Sequence, residues 1–390
     1  MNPYAPGQPA DPAVFAGRRE ILAKSEEAVE SARRLTRTTP MLFHGYRGSG
    51  KTSILRKVRA EVTSRLSEAV AVDIPLQSET SEDRLYRTIV AEVARQLSTR
   101  ATVGEKFKAF LRRFSGVNVA GTGVTISPRE AGPASQAISI WRDCMDSLDG
   151  IPLLMVSIDD AEQLDRSGLG ALKTIAEANS PTPVFLVVTG GVEFSDRLAT
   201  HDSSPVARVF TDSSFDVGEL SAAETRDALD NPLRRVDSRS TWSDSGVETV
   251  FRLSHGYPYL VHCIARATYR ENAILDAEAV NTRLGTALES AAGWLNRECA
   301  RASDNDILAF AKIASSGKGH LRSSEIIEEL AIQAPYIGRL VAQGILLKVS
   351  YGHYELRKAP VIAYYHVIRR RLIERLVLPR ATEGDSIDSR

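Results

Sequence analysis

The chain has little cysteine, no net charge and no long apolar run. Its three cysteines, Cys144, Cys263 and Cys299, lie far apart in 390 residues and form no metal-type pair. That argues against a zinc or disulfide framework and for reduced thiols in a cytoplasmic protein. Lysine plus arginine and aspartate plus glutamate number 49 each. A chain-wide attraction to nucleic acid or to an anionic membrane is therefore excluded, and any such preference must be local. No apolar run approaches the ~20 residues of a membrane span. The opening MNPYAPGQPADPA lacks the basic-then-apolar pattern of a signal peptide.

What is there is ordinary globular composition, 43% hydrophobic and 25% charged, in a chain long enough for two or three domains. Residues 1–12 read as a flexible leader and 379–390 as a disordered polar tail. Between them, apolar runs at 41–45, 69–76, 151–159 and 183–191, with 213–220 as a candidate fifth strand, alternate with helical patterns. That alternation predicts an α/β core over 13–220 with a mainly parallel sheet. An all-helical stretch follows over 221–301. The segment 115–127 alternates valine and isoleucine about a glycine-rich centre and reads as a β-hairpin inserted in the core. Lys106, Lys108, Arg112 and Arg113 precede it. They suit an anionic partner such as DNA, or a contact with a neighbouring subunit, although a plain surface hairpin would look the same.

The most specific stretch is Gly45-Tyr46-Arg47-Gly48-Ser49-Gly50-Lys51-Thr52, a P-loop of the form G-x-x-x-x-G-K-[ST] between a strand and a helix. Glycines permit positive φ, so that several N–H groups can converge on phosphate oxygens, and the helix N-terminus adds its dipole. Gly45, Arg47, Gly48, Ser49, Gly50, Lys51, Thr52 and Ser53 are the nucleotide-binding candidates. Lys51 is expected at the β and γ phosphates and Thr52 on Mg²⁺. The strand LLMVSIDD ends in Asp159 and Asp160. Asp159 is expected to hold Mg²⁺ and Asp160 to orient or activate the attacking water. Solvent-facing strand-end carboxylates are the plainer alternative. The three tryptophans, Trp141, Trp242 and Trp294, read as core or domain-interface residues, and His44 as the end of a strand.

These motifs resemble the AAA+ class and its relatives, the STAND signalling ATPases. Val14-Phe15-Ala16-Gly17-Arg18-Arg19-Glu20 resembles the segment that lies over the adenine in such proteins, which implies roles for Gly17 and Arg18. Thr189, at the end of the fourth strand, matches the polar position that senses the γ-phosphate. Gly256-Tyr257-Pro258 resembles the G-x-P motif of STAND-type lids, which puts Pro258 near the base. The resemblance runs from Val14 to about Arg375 and implies an ATPase using ATP and Mg²⁺. Two departures stand out. The class has Asp-Glu where this chain has Asp159-Asp160, which implies slow hydrolysis unless Glu162 substitutes. No lid arginine is evident beyond Arg266, and Arg208 is the candidate for a finger acting on a neighbouring subunit.

The stretch 302–378 resembles the winged-helix domain of origin-recognition initiators. Helical patterns at 304–315, 323–331 and 334–343 precede a strand pair. The third helix would carry Gln333, Tyr336, Arg339 and Gln343 toward DNA, with Lys348 and His353 on the wing. Residues 303–380 hold 12 basic and 7 acidic side chains, with Arg369, Arg370, Arg371 and Arg375 near the end. The resemblance therefore implies an ATP-switched, initiator- or loader-like protein that binds duplex DNA. The alternative is a STAND-type signalling or defence scaffold that forms a homo-oligomer, or joins a partner protein, when ATP binds.

Overall fold

The computed structural model describes residues 1–35, 37–98, 100, 104–113, 117–120, 123–126, 134–192, 194–200, 205–298, 303–316, 318, 320–343 and 346–356. They divide into two compact units, one of residues 7–218 and one of residues 1–6 with 219 onward.

In the first unit the strands β1 (Met41–His44), β2 (Val70–Pro75), β3 (Leu154–Asp159), β4 (Val184–Gly190) and β5 (Ser214–Asp216) form one parallel sheet. The spatial order is β2-β3-β4-β1-β5. The apolar runs are continuous because both faces of the sheet are covered. Met41 and Phe43 join an apolar layer with Ile21, Ala28 and Val29 of helix α1 (Arg19–Leu35) and Ile54, Val58 and Val62 of α2 (Lys51–Arg65). Leu42 points the other way, into a layer built with α3 (Glu82–Ser98), α4 (Glu105–Arg113), α5 (Ala134–Ser147) and α6 (Arg166–Ala176). Trp141 of α5 is buried there and stacks on Tyr86, ring centroids 6.0 Å apart. The expected hairpin is present, Val117–Ala120 pairing antiparallel with Gly123–Ile126. Two of the lysines before it are already paired, Lys106 with Asp149 at 2.8 Å and Lys108 with Glu105 at 2.7 Å.

In the second unit, helices Ala222–Val236, Asp244–Ser254, Pro258–Thr268 and Ala277–Glu298 make up the expected helical region. A short parallel strand pair, Thr241–Trp242 with Ile274–Leu275, departs from the all-helical expectation. Both are too short for periodicity to reveal. Ser221 and Glu224 form a reciprocal capping box at the first of these helices. Gly256 has φ +73°, and a Cβ there would lie 2.0 Å from the Leu220 carbonyl oxygen, so the Gly-x-Pro turn requires glycine. Trp242 and Trp294 are buried, as expected.

The first six residues differ from the flexible leader expected. Tyr4 is 2% exposed. Its hydroxyl donates to the Leu229 carbonyl at 2.7 Å and accepts from the Trp242 indole at 2.7 Å. Its ring meets those of Trp242, His262 and Tyr269 edge-on. Asn2 donates to the Arg266 carbonyl at 2.9 Å.

Beyond residue 302 come helix Asp304–Ser315, a strand His320–Arg322, a π-helical turn Glu325–Glu329, helix Ala334–Ala342 and a hairpin of Leu346–Ser350 with His353–Leu356. The three strands form an antiparallel sheet with His353–Leu356 in the middle. Phe310, Ile313, Leu321, Ile326, Ile337, Leu340 and Leu346 close a separate apolar cluster. The final arginine-rich helix expected around Arg369–Arg375 lies outside the described residues, as do the polar tail and Cys299. Among described residues Cys144 and Cys263 are buried free thiols, and no helix is long and apolar enough to cross a membrane.

Candidate nucleotide site

The sheet order brings the functional residues together. β4 lies between β1, which leads into the P-loop, and β3, which ends in the two aspartates. All three strands are parallel, so their C-terminal ends emerge on one edge. The P-loop leaves β1 at His44 and enters α2 at Lys51. Gly48 and Gly50 have φ of +87° and +98°. A Cβ on Gly45 would lie 2.6 Å from the Val217 carbonyl oxygen. The three glycines are thus required by backbone geometry, and the alternating conformation turns N–H groups inward as an anion-binding nest does.

Thr52 donates its hydroxyl to Asp159 Oδ2 at 2.7 Å. Thr189, 0% exposed on β4, donates to the other carboxylate oxygen, Oδ1. The same Thr189 hydroxyl accepts the Asp160 N–H at 3.2 Å. One buried threonine therefore joins both aspartates. Asp160 itself has φ +59°, a conformation few non-glycine residues adopt, and it starts a short turn, Ala161–Gln163. Partial burial, then the nearby Asp159 and Glu162 carboxylates, push Asp160 above the usual carboxylate range. Lys51 reaches back to the carbonyls of Gly45 at 2.8 Å and Tyr46 at 3.0 Å. Burial pulls the Lys51 ammonium below its ordinary value, and the attraction of Glu162, Asp160 and Asp159 opposes that.

The donor set fits a magnesium–nucleotide group. The Ser49 hydroxyl is enclosed in the loop with no hydrogen-bond partner among the described residues. Lys51 donates to loop carbonyls, and Thr52 and Asp159 present hard oxygen donors in contact. Magnesium typically takes one or two protein oxygens and completes its shell with phosphates and water. Among the described residues, no cluster of three or more His, Cys, Asp or Glu side chains is placed to hold a metal.

Other sequence candidates fall in different places. Arg18, with φ +59°, donates to the Ser49 carbonyl at 3.4 Å and to the Gly218 carbonyl, so it braces the P-loop from behind. Gly17 has φ +74° in the same turn. Ser53 accepts the Ala10 N–H at 3.0 Å and so anchors the preceding segment. Arg47 is exposed on the loop. Arg208 is exposed on the short helix Pro205–Val209. Pro258 belongs to the second unit, at the first position of helix Pro258–Thr268. The sequence reading undervalued Glu162, whose Oε2 accepts the Gly191 N–H at 3.1 Å. The only signal was its position three residues beyond Asp159.

A P-loop, a strand-end aspartate shared by two threonines and a strand between them define a P-loop ATPase core. Residues 14–188 match the AAA ATPase domain family. A Walker-type ATPase of Pyrococcus abyssi has the same fold, with a TM-score of 0.57 at 20% identity, over 91% of this chain and 96% of that one. The Aeropyrum pernix ORC2 protein in its ADPNP–ADP complexes aligns over 96% of this chain and 97% of its own, with a TM-score of 0.56 and 12% identity. No curated protein sequence matches the chain.

Proposed function

We propose that the protein is a magnesium-dependent, slowly hydrolysing ATP switch that binds duplex DNA through a winged helix formed by residues 302–378. The observation that carries the nucleotide part is the Asp159 carboxylate shared by Thr52 and Thr189. Thr52 and Asp159 would ligate the magnesium ion, which supplies charge neutralisation for phosphoryl transfer. Lys51 would exchange its loop carbonyls for phosphate oxygens. Thr189 would hold Asp159 in place and fix the Asp160 backbone. Asp160 is a shorter carboxylate than glutamate, on a turn with φ +59°, and its limited reach toward an attacking water supports slow turnover. Arg208, exposed on its helix, would complete a neighbour's site in a homo-oligomer.

The DNA part is supported by the helix–strand–helix–hairpin order after residue 302 and by the basic excess. That excess is confined to the far end: residues 303–356 hold five basic and six acidic side chains, and residues 357–380 hold seven and one. Duplex contacts would therefore rest on phosphates more than on bases.

One observation favours the STAND-type scaffold instead. Arg339, the one arginine on helix Ala334–Ala342, donates to the buried Asp306 at 2.7 Å and stacks over Tyr336 at 4.4 Å. Those contacts hold the helix in place and leave it without a committed base-reading cation.

Fluorescence anisotropy of a labelled duplex at two salt concentrations, with ATP, ADP or neither, separates the two readings. Binding that depends on nucleotide, weakens with salt and vanishes in Lys51→Ala is the expected result. Absence of binding in every state, with ATP-dependent self-association instead, would transfer the conclusion to the scaffold.

A further inference from the structure

Three consecutive residues at the end of β4 are each held by a different part of the nucleotide site. The Thr189 side chain is bonded to Asp159. The Gly190 carbonyl accepts the Gly45 N–H at 3.3 Å, from the first residue of the P-loop. The Gly191 N–H donates to Glu162 Oε2 at 3.1 Å, from the turn after the aspartates. The Gly190–Gly191 peptide unit is therefore gripped at both poles, its oxygen by the P-loop and its N–H by Glu162. Gly190 can sit there only as glycine, because a Cβ would lie 2.5 Å from the Phe194 ring.

Glu162 has further ties. Of the three carboxylates that attract Lys51, it acts most strongly. Its own carbonyl accepts from Arg197 at 2.8 Å, and the same guanidinium donates to the Leu164 carbonyl. Arg197 lies on the helix Phe194–Thr200, directly after the gripped peptide. Glu162 thus connects the end of β4 and the helix that follows, and its charge acts on Lys51 without contact.

The charges imply what this connection does. The P-loop is built to receive phosphates, and Glu162 is an anion acting on the lysine that would receive them. A triphosphate brings about one more negative charge to Lys51 than a diphosphate does, and it competes with Glu162 for that ammonium.

We propose that Glu162 is a positioning residue that sets the discrimination between ATP and ADP at this site. It holds the Gly190–Gly191 peptide while no γ-phosphate is bound, and the γ-phosphate charge displaces it and frees the Gly191 N–H. The inference rests on the reading of this loop as a nucleotide site. It makes Glu162 a reporter of phosphate number acting through the backbone, where Thr189 acts through a side chain.

The test uses the full chain with MgCl₂, titrated calorimetrically with ADP and with ADPNP. Deuterium uptake of the peptide covering 189–194 is followed in parallel. In the wild type, ADPNP should raise that uptake and ADP should not. Glu162→Gln removes the opposing charge and should favour ADPNP over ADP by on the order of five-fold relative to wild type. Glu162→Asp keeps the charge but shortens the reach. It should raise uptake without nucleotide while leaving the ADPNP-to-ADP ratio near wild type. A merely structural glutamate would leave that ratio unchanged in both variants, and this result would overturn the proposal. Failure of wild-type protein to bind either nucleotide would instead sink the nucleotide reading, and the inference with it.

Discussion

Replacing Thr189 by valine keeps the shape of the side chain and deletes only its hydroxyl. In the folded protein that hydroxyl makes two bonds, one to the Asp159 carboxylate and one from the Asp160 N–H. A hydrogen bond to a charged group contributes about 1.5–3 kcal/mol, and a buried donor left unpaired costs about 1–3 kcal/mol. Asp159 keeps its contact with Thr52, and some water will reach Asp160. The net loss should therefore be about 2–4 kcal/mol, concentrated at the catalytic edge of the sheet. If half of it is felt in the transition state, kcat should fall about five- to thirty-fold, since about 1.4 kcal/mol is a factor of ten. KM for ATP should change little, because Lys51 and the P-loop amides are untouched. Thr189→Ser should restore most of the rate, because serine keeps a hydroxyl that can make both bonds. A coupled ATPase assay on the three proteins decides. If Thr189→Val stays within about two-fold of wild type in kcat, the role assigned to this hydroxyl is wrong.

Two further outcomes concern the second unit. Tyr4→Ala empties a buried aromatic site and orphans the Trp242 indole, so it should cost about 3–5 kcal/mol, read as an earlier thermal transition for this unit. An unshifted melt would mean that the segment does not dock. His262 is pushed down to about 4 by burial, with its Nδ1 enclosed and without a hydrogen-bond partner among the described residues. Its folded value lies below the ordinary 6.5, so the unfolded chain takes up a proton first as pH falls. Stability tied to this residue is complete above about pH 6.5 and is lost progressively toward pH 4, by up to about 3 kcal/mol. Urea midpoints measured across that range should flatten in His262→Leu, and an unchanged slope would refute the assignment.

How much of this was legible in the sequence depends on how far apart the partners lie. The P-loop spans eight adjacent residues, and its geometry is set by where the glycines fall, so it could be read directly. Four of the five parallel strands were visible because burial on both faces makes them largely apolar, as Leu154–Asp159 shows, whereas Ser214–Asp216 is mostly exposed and carries a weaker signal. Tyr4 was misread because its partners, Leu229 and Trp242, lie more than two hundred residues away. In a leader rich in proline and alanine, nothing local marks one tyrosine as an anchor. The Arg339–Asp306 bond was out of view for the same reason, since Asp306 lies 33 residues earlier. The strand His320–Arg322 was missed because three residues carry no period. Asp159 and Thr189 were both chosen from motifs, but that one hydroxyl serves two aspartates follows only from the strand order.

The docking of Tyr4 also bears on how the molecule can be taken apart. The second unit is assembled from both ends of the described chain, with residues 1–6 packed among helices that begin after residue 219. Cutting between 218 and 219 would not yield two self-sufficient pieces. A fragment starting at 219 would expose the Trp242 indole and the hole that Tyr4 fills, and should behave as a partly open, aggregation-prone protein. Supplying the hexapeptide Met1–Pro6 in trans, or grafting it ahead of residue 219, is the way to recover that unit intact.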